Sequence, residues 1–404
     1  MRDDYDLIIV GGGLSGGSLA LALQSSGLRI ALLEAITEQQ RVTSPAGDRA
    51  LALSYGSVEI LAKLGLWAGA EQHATAITNI HISDRGHFGK TRLSAKRERV
   101  PVLGYVITAR ALENEIADAL VASPVDLICP ARLIGLKAGP DKVCVSLKRG
   151  EESLTATASL LVGADGGNSS VRKLLGIEQE ITDYCQTAII TTVKPEIDPV
   201  GMAYERFTSY GPLAFLPTRE RCCSVVWTQT SENAQSIAGL NEIEFVNQLQ
   251  KIFGYRLGDL VMAGPRVSFP LRLIRARGMT ADRCVLVGNA VHQLHPVAGQ
   301  GFNLGLRDVA ILAEKLIDCA CAGEDIGSKK LLDQYSVSRR KDHDAVARFT
   351  DGLVRLFSNE WGPVSWARNA GLIGLDCFPL GKRVLARHAM GLSGRRPRLG
   401  VETN

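Results

Sequence analysis

Residues 6–16 constrain this chain more than any other stretch. Asp6-Leu-Ile-Ile-Val10 is a short apolar run with β-branched residues, the pattern of a strand buried on both faces. It stops at Gly11, and Gly11-Gly-Gly13-Leu-Ser-Gly16 follows. Residues 14–26 read as a helix of leucines among small side chains, closed by Gly27. Residues 29–33 read as a second buried strand, ending in Glu34. Strand, glycine turn, helix and strand make a βαβ unit, whose crossover is right-handed. In that context a GxGxxG run has a physical meaning. Gly11 permits the tight turn, Gly13 lets the backbone approach a pyrophosphate, and Gly16 lets helix and strand pack closely. The helix N-terminus then offers N–H donors and a positive dipole end to phosphates. Glu34 is placed to accept hydrogen bonds from ribose hydroxyls and to repel a 2′-phosphate, which disfavours NADP at this site. The motif by itself does not separate FAD from NAD.

Two further buried strands end in the same way. Leu161-Val-Gly-Ala-Asp165-Gly166-Gly-Asn-Ser169 runs from a strand over residues 159–163 into a serine-capped helix. Asp165 reads equally well as a helix cap and as a ligand-facing group. Cys284-Val-Leu-Val-Gly288-Asn289-Ala-Val-His292-Gln-Leu-His295-Pro296 continues through Gly299, Gly301 and Asn303 into a helix over 304–322. The two histidines are three apart with no supporting glutamate. They read as structural or cofactor-lining residues, and no metal site is expected. Carboxyl ends of parallel strands are where ligands bind in open α/β sheets. One extended ligand reaching all three junctions explains them together. An NAD dehydrogenase would leave the second and third unexplained. The junctions also account for part of a glycine content of 41 in 404 residues, against a usual ~7%.

Elsewhere, residues 58–66, 111–122, 242–253 and 330–351 read as helices. Residues 74–92 and 143–147 read as strands, and 186–228 as an antiparallel sheet. Hydrophobic residues at 46% with a net charge of +4 exclude disorder for the bulk of the chain. Charges are interspersed, without the basic stripe of a nucleic-acid binder. Nine cysteines without a CxxC imply reduced thiols in the cytoplasm. Residues 7–28 carry no charge, but six glycines and four serines make them a poor membrane span. The acidic start lacks the basic region of a signal peptide. Between Cys377 and Val401 there is no acid, whereas Lys382, Arg383, Arg387, Arg395, Arg396 and Arg398 are present. This reads as a solvated basic tail, with a weak contact to an anionic lipid surface as the functional alternative.

The GxGxxG, Asp-Gly and Gly-Asn trio resembles the fingerprint of the flavin-dependent aromatic hydroxylases of para-hydroxybenzoate hydroxylase type. The third element departs from that family's Gly-Asp, since Asn289 stands where the acid would be. Tyr204-Glu-Arg-Phe-Thr208, Gly211-Pro-Leu-Ala-Phe-Leu-Pro217, Phe253-Gly-Tyr-Arg-Leu-Gly258 and the long run from Leu286 to Gly305 resemble the ubiquinone-biosynthesis branch. The resemblance covers nearly the whole chain to about residue 390. It implies an α/β fold, a Rossmann-like FAD-binding domain with a mixed antiparallel-sheet substrate domain. It implies FAD, with NAD(P)H or another electron donor and dioxygen as co-substrates. It also implies a C4a-hydroperoxyflavin that hydroxylates a 2-polyprenyl-6-methoxyphenol to the 1,4-benzoquinol. By resemblance, Arg49 and Arg110 approach the flavin, and Asp165, Gly288, Asn289, Pro296, Gly299, Gly301 and Asn303 line it. Gly11, Gly13, Gly16 and Glu34 hold the adenosine and pyrophosphate end. No catalytic base is identified.

The expected division is FAD-binding at residues 1–74, 102–182 and 269–340, substrate domain at 75–101 and 183–268, and a helical region with a basic tail at 341–404. The chain is expected in the cytoplasm, peripheral to the inner face of the membrane or within a ubiquinone-synthesis complex. The oligomeric state is open. Alternatives that stay open are a sister hydroxylase at another ring position, a flavoprotein doing reduction or oxidase chemistry, and a non-catalytic FAD-binding subunit.

Overall fold

A computed structural model describes residues 2–357, 362–392 and 397–398 of the chain. The first strand, Asp4–Val10, lies at the centre of an eight-stranded sheet. Ile30–Leu33 pairs with it in parallel on one side and Glu152–Gly163 on the other. Cys284–Leu286 then pairs in parallel with Glu152–Gly163, and Asp126–Ile128 with Ile30–Leu33. The register sets Leu33, Val10, Gly163 and Leu286 side by side. The carboxyl ends of the sequence-predicted strands therefore meet along one sheet edge.

Helices Leu14–Leu23, Ala109–Val121 and Gln300–Cys321 cover one face of this sheet. The close packing depends on glycine. A Cβ on Gly16 would lie 1.8 Å from the Gly11 carbonyl oxygen, and one on Gly17 2.4 Å from an Ile116 methyl. An antiparallel meander, Arg132–Ala138 with Val143–Arg149, joins the second core on the other face.

A second, nine-stranded sheet holds Gln179–Pro195, Met202–Thr208, Gly211–Pro217, Cys223–Thr230 and Val267–Ala276. Its pairs are antiparallel except one, Met202–Thr208 with Asn79–Asp84. That exception recruits residues from early in the chain. The single strand-like run expected over 74–92 is in fact Thr75–Ile77, Asn79–Asp84 and Lys90–Ser94, broken where the chain crosses from a small three-stranded sheet into this one. Helices Ser231–Ala238 and Glu242–Phe253 cover the outer face of the large sheet with a separate aromatic core, including Phe215 stacked on Phe253 at 3.8 Å.

The C-terminal region is helical over Lys329–Phe357, Gly362–Cys377 and Pro379–Ala389. It corrects the solvated-tail reading up to residue 392. Lys382 is buried and pairs with Asp376 at 2.7 Å, while Ala386, Met390 and Leu392 join a core cluster. The acid-free window began one residue after that partner. Arg398 is also anchored, its backbone N–H donating to Glu314 at 2.8 Å; Arg395 and Arg396 lie outside the described residues. No helix among the described residues is long and apolar enough to cross a membrane.

Candidate active site

The carboxyl edge of the parallel sheet and the inner face of the second sheet line one cavity of about 1450 Å³. Gly11, Gly13, Glu34, Arg49, Asp165, Asn289, Pro296, Gly299, Gly301 and Asn303 all line it. Gly16 and Gly288 stand just behind. Gly11 has φ +102°, and a Cβ there would lie 2.6 Å from the Ala164 carbonyl oxygen. This glycine thus serves the turn and the close approach of the first two junctions. Around Gly13 no protein atom lies within 4 Å of a Cβ position, so the space in front of the helix N-terminus is open to a ligand. Gly288, at φ +59°, would press a Cβ onto the Ser15 hydroxyl at 2.6 Å.

Glu34 uses one carboxylate oxygen to accept from the Gly12 N–H and the other from the Ile36 N–H, each at 2.7 Å. Each oxygen retains a second lone pair. The two carboxylate oxygens of Asp165 differ in their surroundings. Its Oδ2 accepts from the backbone N–H groups of Ser170 at 2.6 Å and Val171 at 3.2 Å, at the start of helix Ser170–Leu174. Its Oδ1 is buried without a hydrogen-bond partner among the described residues. A buried carboxylate oxygen is costly unless it is satisfied, so this atom fits a hydroxyl-bearing ligand. With the open cradle at Gly13, it is the structural reason that the residues present fit FAD.

Two of these residues are committed to protein partners. Arg110 does not line the cavity. It pairs with Asp48 at 2.9 Å and donates to the carbonyls of Ser44 and Val42, which latches the turn over residues 41–48. Its guanidinium is spent on backbone rather than held for a ligand. Asn303 lines the cavity, but its amide is committed to protein. It donates to the carbonyls of Ala52 at 2.9 Å and Gly299 at 2.7 Å and accepts from the Ser54 N–H at 2.9 Å. It fixes the glycine loop to the strand Ala50–Ser54. His292 and His295 are buried and do not line the cavity, which leaves the structural half of their reading. Burial pushes His295 down to about 4.

Sequence reasoning missed the buried group behind this loop. Asp308 accepts from the Gly288 N–H at 3.3 Å and from Arg339 at 2.6 Å, and lies 3.3 Å from His292 Nε2 and 2.7 Å from His343 Nε2. Arg339 also pairs with Asp342, which pairs with Arg307. Burial by itself would raise the Asp308 carboxyl. His343, Arg339 and the hydrogen bonds from the two histidines outweigh it and hold the group well below the usual carboxylate range. The His292, Asp308 and His343 ligand atoms are close enough to reach one cation. Arg339 already supplies the positive charge there, so the group reads as a buried ion network. A signal existed, since Arg339 and His343 are an i,i+4 polar pair on the apolar stripe of their helix.

The family model described as "FAD binding domain" matches residues 4–350. The chain is 37% identical over 403 residues to the ubiquinone hydroxylase UbiL of Rhodospirillum rubrum, covering 98% of this chain and 92% of that one. It is 32% identical over 394 residues to the 3-demethoxyubiquinol 3-hydroxylase of Escherichia coli, covering 96% and 98%. Among solved structures, p-nitrophenol 4-monooxygenase PnpA from Pseudomonas putida superposes with a TM-score of 0.80 at 19% identity, covering 98% of this chain and 100% of that one. That likeness shows the fold.

Proposed function

This chain belongs to the FAD-dependent monooxygenases of the FAD-binding-domain family, and from that premise we propose that it hydroxylates a prenylated methoxyphenol ring on the route to ubiquinone. The observation that carries the reading is the single cavity. Its one half is built of strand-end glycines, and its other half is an apolar sheet face that includes Ile80, Ile82, Ile190 and Leu216. A polar, phosphate-bearing cofactor suits the first half and a ring with an isoprenoid chain the second.

Within it, Gly11 and Gly13 would take the pyrophosphate and Glu34 the ribose. Asp165 would meet the ribityl chain, and Arg49, Asn289, Pro296, Gly299 and Gly301 would border the ring system. Bound FAD supplies activation of dioxygen with electrons from NAD(P)H. The protein's own residues orient the phenol and keep water away. The names of the relatives support a ubiquinone precursor as substrate.

The test is single-turnover reaction of the reduced holoprotein with 2-prenyl-6-methoxyphenol under labelled dioxygen. Labelled hydroquinone is expected; hydrogen peroxide alone would refute the reading. The Escherichia coli relative, named for hydroxylation at position 3, favours a second reading at that ring position. A demethoxyubiquinol substrate offered in parallel separates the two.

A peripheral lipid contact belongs to the same reading. Helices Gly362–Cys377 and Pro379–Ala389 line the cavity with Leu372, Leu375 and Leu385 and expose Trp366 (75%), Leu380 (67%) and Val384 (70%) beside Arg383. Apolar side chains flanked by cations suit an anionic membrane surface. Replacing Trp366, Leu380 and Val384 with serine should lower sedimentation with phosphatidylglycerol vesicles at least fivefold. Unchanged sedimentation would refute this contact.

A further inference from the structure

The stretch Tyr204-Glu-Arg-Phe-Thr208 places an acid, Glu205, on the wall of the cavity. Strand Met202–Thr208 turns Ala203, Glu205 and Phe207 into the cavity. Register across the sheet aligns Thr91, Ile82, Glu205, Ala214, Val226 and Ile190 in a single row. All six line the cavity, and Glu205 is the acid among them. The row beside it, Leu93, Ile80 and Ala203, is wholly apolar and also lines the cavity. Among the described residues no hydrogen-bond or ion-pair partner reaches the Glu205 carboxyl. Burial alone pushes it up to about 7.

Its surroundings explain why no cation holds it down. Arg206 and the ring of Tyr204 point to the opposite face of the strand, where the ring meets Phe253 at 5.3 Å, while Tyr204 also borders the cavity. Asp84, one step along the neighbouring strand, is bound to Arg368 at 2.8 Å and to Asn369 at 3.1 Å. Among the described residues, Arg368, from helix Gly362–Cys377, is the charged group that faces the cavity on this side. Glu34, Arg49, Glu113, Arg132 and Asp165 line its other half. The Glu205 side chain is partly exposed to the cavity, so its unpartnered carboxyl is open to a ligand there, in the half that suits a phenol.

Building on the hydroxylase reading above, we infer that Glu205 is the general base for the phenol hydroxyl. The phenol O–H bond breaks, its proton passes to a Glu205 carboxylate oxygen, and the electron pair stays on the ring oxygen. Resonance moves that density to the ortho and para carbons, one of which forms the new C–O bond. The oxygen atom comes from dioxygen reduced by the nicotinamide donor through FAD; the second oxygen leaves as water. The hydroxylated carbon then loses its proton to water, the Glu205 proton returns to the first ring oxygen, and the carboxylate ends as it began. A positioned base contributes about 10²–10⁴ in rate, and works best when its own pKa lies near the working pH. The unprotonated fraction of Glu205 grows as pH rises through about 7, so hydroxylation should rise with it.

The experiment compares wild type with E205Q and E205D as FAD-loaded proteins. It uses NADPH and 2-prenyl-6-methoxyphenol between pH 6 and 9. The readouts are hydroxylated product, hydrogen peroxide and the flavin perturbation on phenol binding. E205Q should keep FAD and bind the phenol within threefold of wild type. It should form product at least 100-fold more slowly, release the missing oxygen as peroxide, and lose the rise through pH 7. E205D should recover part of the rate and the pH dependence. Product formation by E205Q within threefold of wild type would overturn the assignment and leave the hydroxylase reading intact. So would an equal slowing at every pH, the sign of a structural role. Absence of product from wild type itself would overturn both.

Discussion

Asp308 and Glu205 are both carboxylates set deep in the molecule, and the chain treats them in opposite ways. Asp308 sits behind the flavin-side glycine loop with donors or cations on every side: Arg339, His292, His343 and the Gly288 N–H. Glu205 sits in an apolar sheet face with none among the described residues. The first is held well below the usual carboxylate range and the second is pushed up to about 7. The same fold therefore supports one buried charge completely and leaves another to whatever enters the cavity. Full satisfaction marks a group that positions backbone. Lack of it, beside a large cavity, marks a group kept for a ligand.

The largest effect expected from this contrast is on stability. Asp308→Ala leaves Arg339 buried beside two unpaired histidines, and breaking such a network costs about 3–5 kcal/mol. Denaturant unfolding of the FAD-loaded protein should show a loss of that size. A loss under 1 kcal/mol would mean that the ring of donors is not what holds the loop.

The corresponding change at Glu205 should have the opposite sign and depend on pH. A carboxyl whose folded pKa is raised binds its proton more tightly folded than unfolded. Its contribution is fully present below about 4.5 and is lost as pH rises through about 7. Glu205→Gln should therefore leave stability unchanged at pH 4.5 and raise it towards pH 8. The ceiling is about 3 kcal/mol for a dry wall and less with water in the cavity. Equal melting curves at pH 8 would show that the carboxyl is already solvated or partnered.

The sequence makes one side of this contrast far easier to read than the other. The three strand-end glycine junctions are local patterns, each within a few residues, so spacing alone places Gly11, Gly13, Glu34 and Asp165 at the sheet edge. The helix over Glu242–Phe253 and the antiparallel sheet are local in the same sense. Glu205 lies on a strand whose alternation is visible, yet its isolation depends on Thr91, Ile82, Ala214, Val226 and Ile190 on five other strands. No spacing rule encodes that register. Asp308 likewise gathers His292, Arg339 and His343 from 16 to 35 residues away. The surroundings of Arg110 and Asn303 are hard to read for another reason. Their partners are mostly backbone carbonyls and N–H groups, which leave no mark in residue identity. Lys382 looked like part of a free basic run only because Asp376 falls just outside the window.

Asp165 lies between the two extremes, and it offers the finest division of the comparison. Its Oδ2 is bound to two helix N–H groups, as in Asp308, and its Oδ1 is orphaned, as in Glu205. Removing the whole side chain and removing only its charge should therefore separate the two oxygens. Asp165→Ala loses the helix-end interaction and should cost about 1 kcal/mol in the FAD-free protein. Asp165→Asn keeps an acceptor for the Ser170 and Val171 N–H groups, so its FAD-free stability should stay within about 0.5 kcal/mol of wild type. The amide can satisfy those donors with its oxygen, but it then presents an NH₂ donor where the carboxylate presented an acceptor. A flavin hydroxyl that donated to Oδ1 would lose its charged acceptor and could only turn to accept from the amide. FAD dissociation followed by flavin fluorescence should weaken about tenfold in Asp165→Asn, roughly the worth of one hydrogen bond to a charged group. Unchanged FAD affinity in both variants would make Asp165 a helix cap and nothing more. Weakened affinity in Asp165→Asn, with stability preserved, would assign the orphaned oxygen to the cofactor.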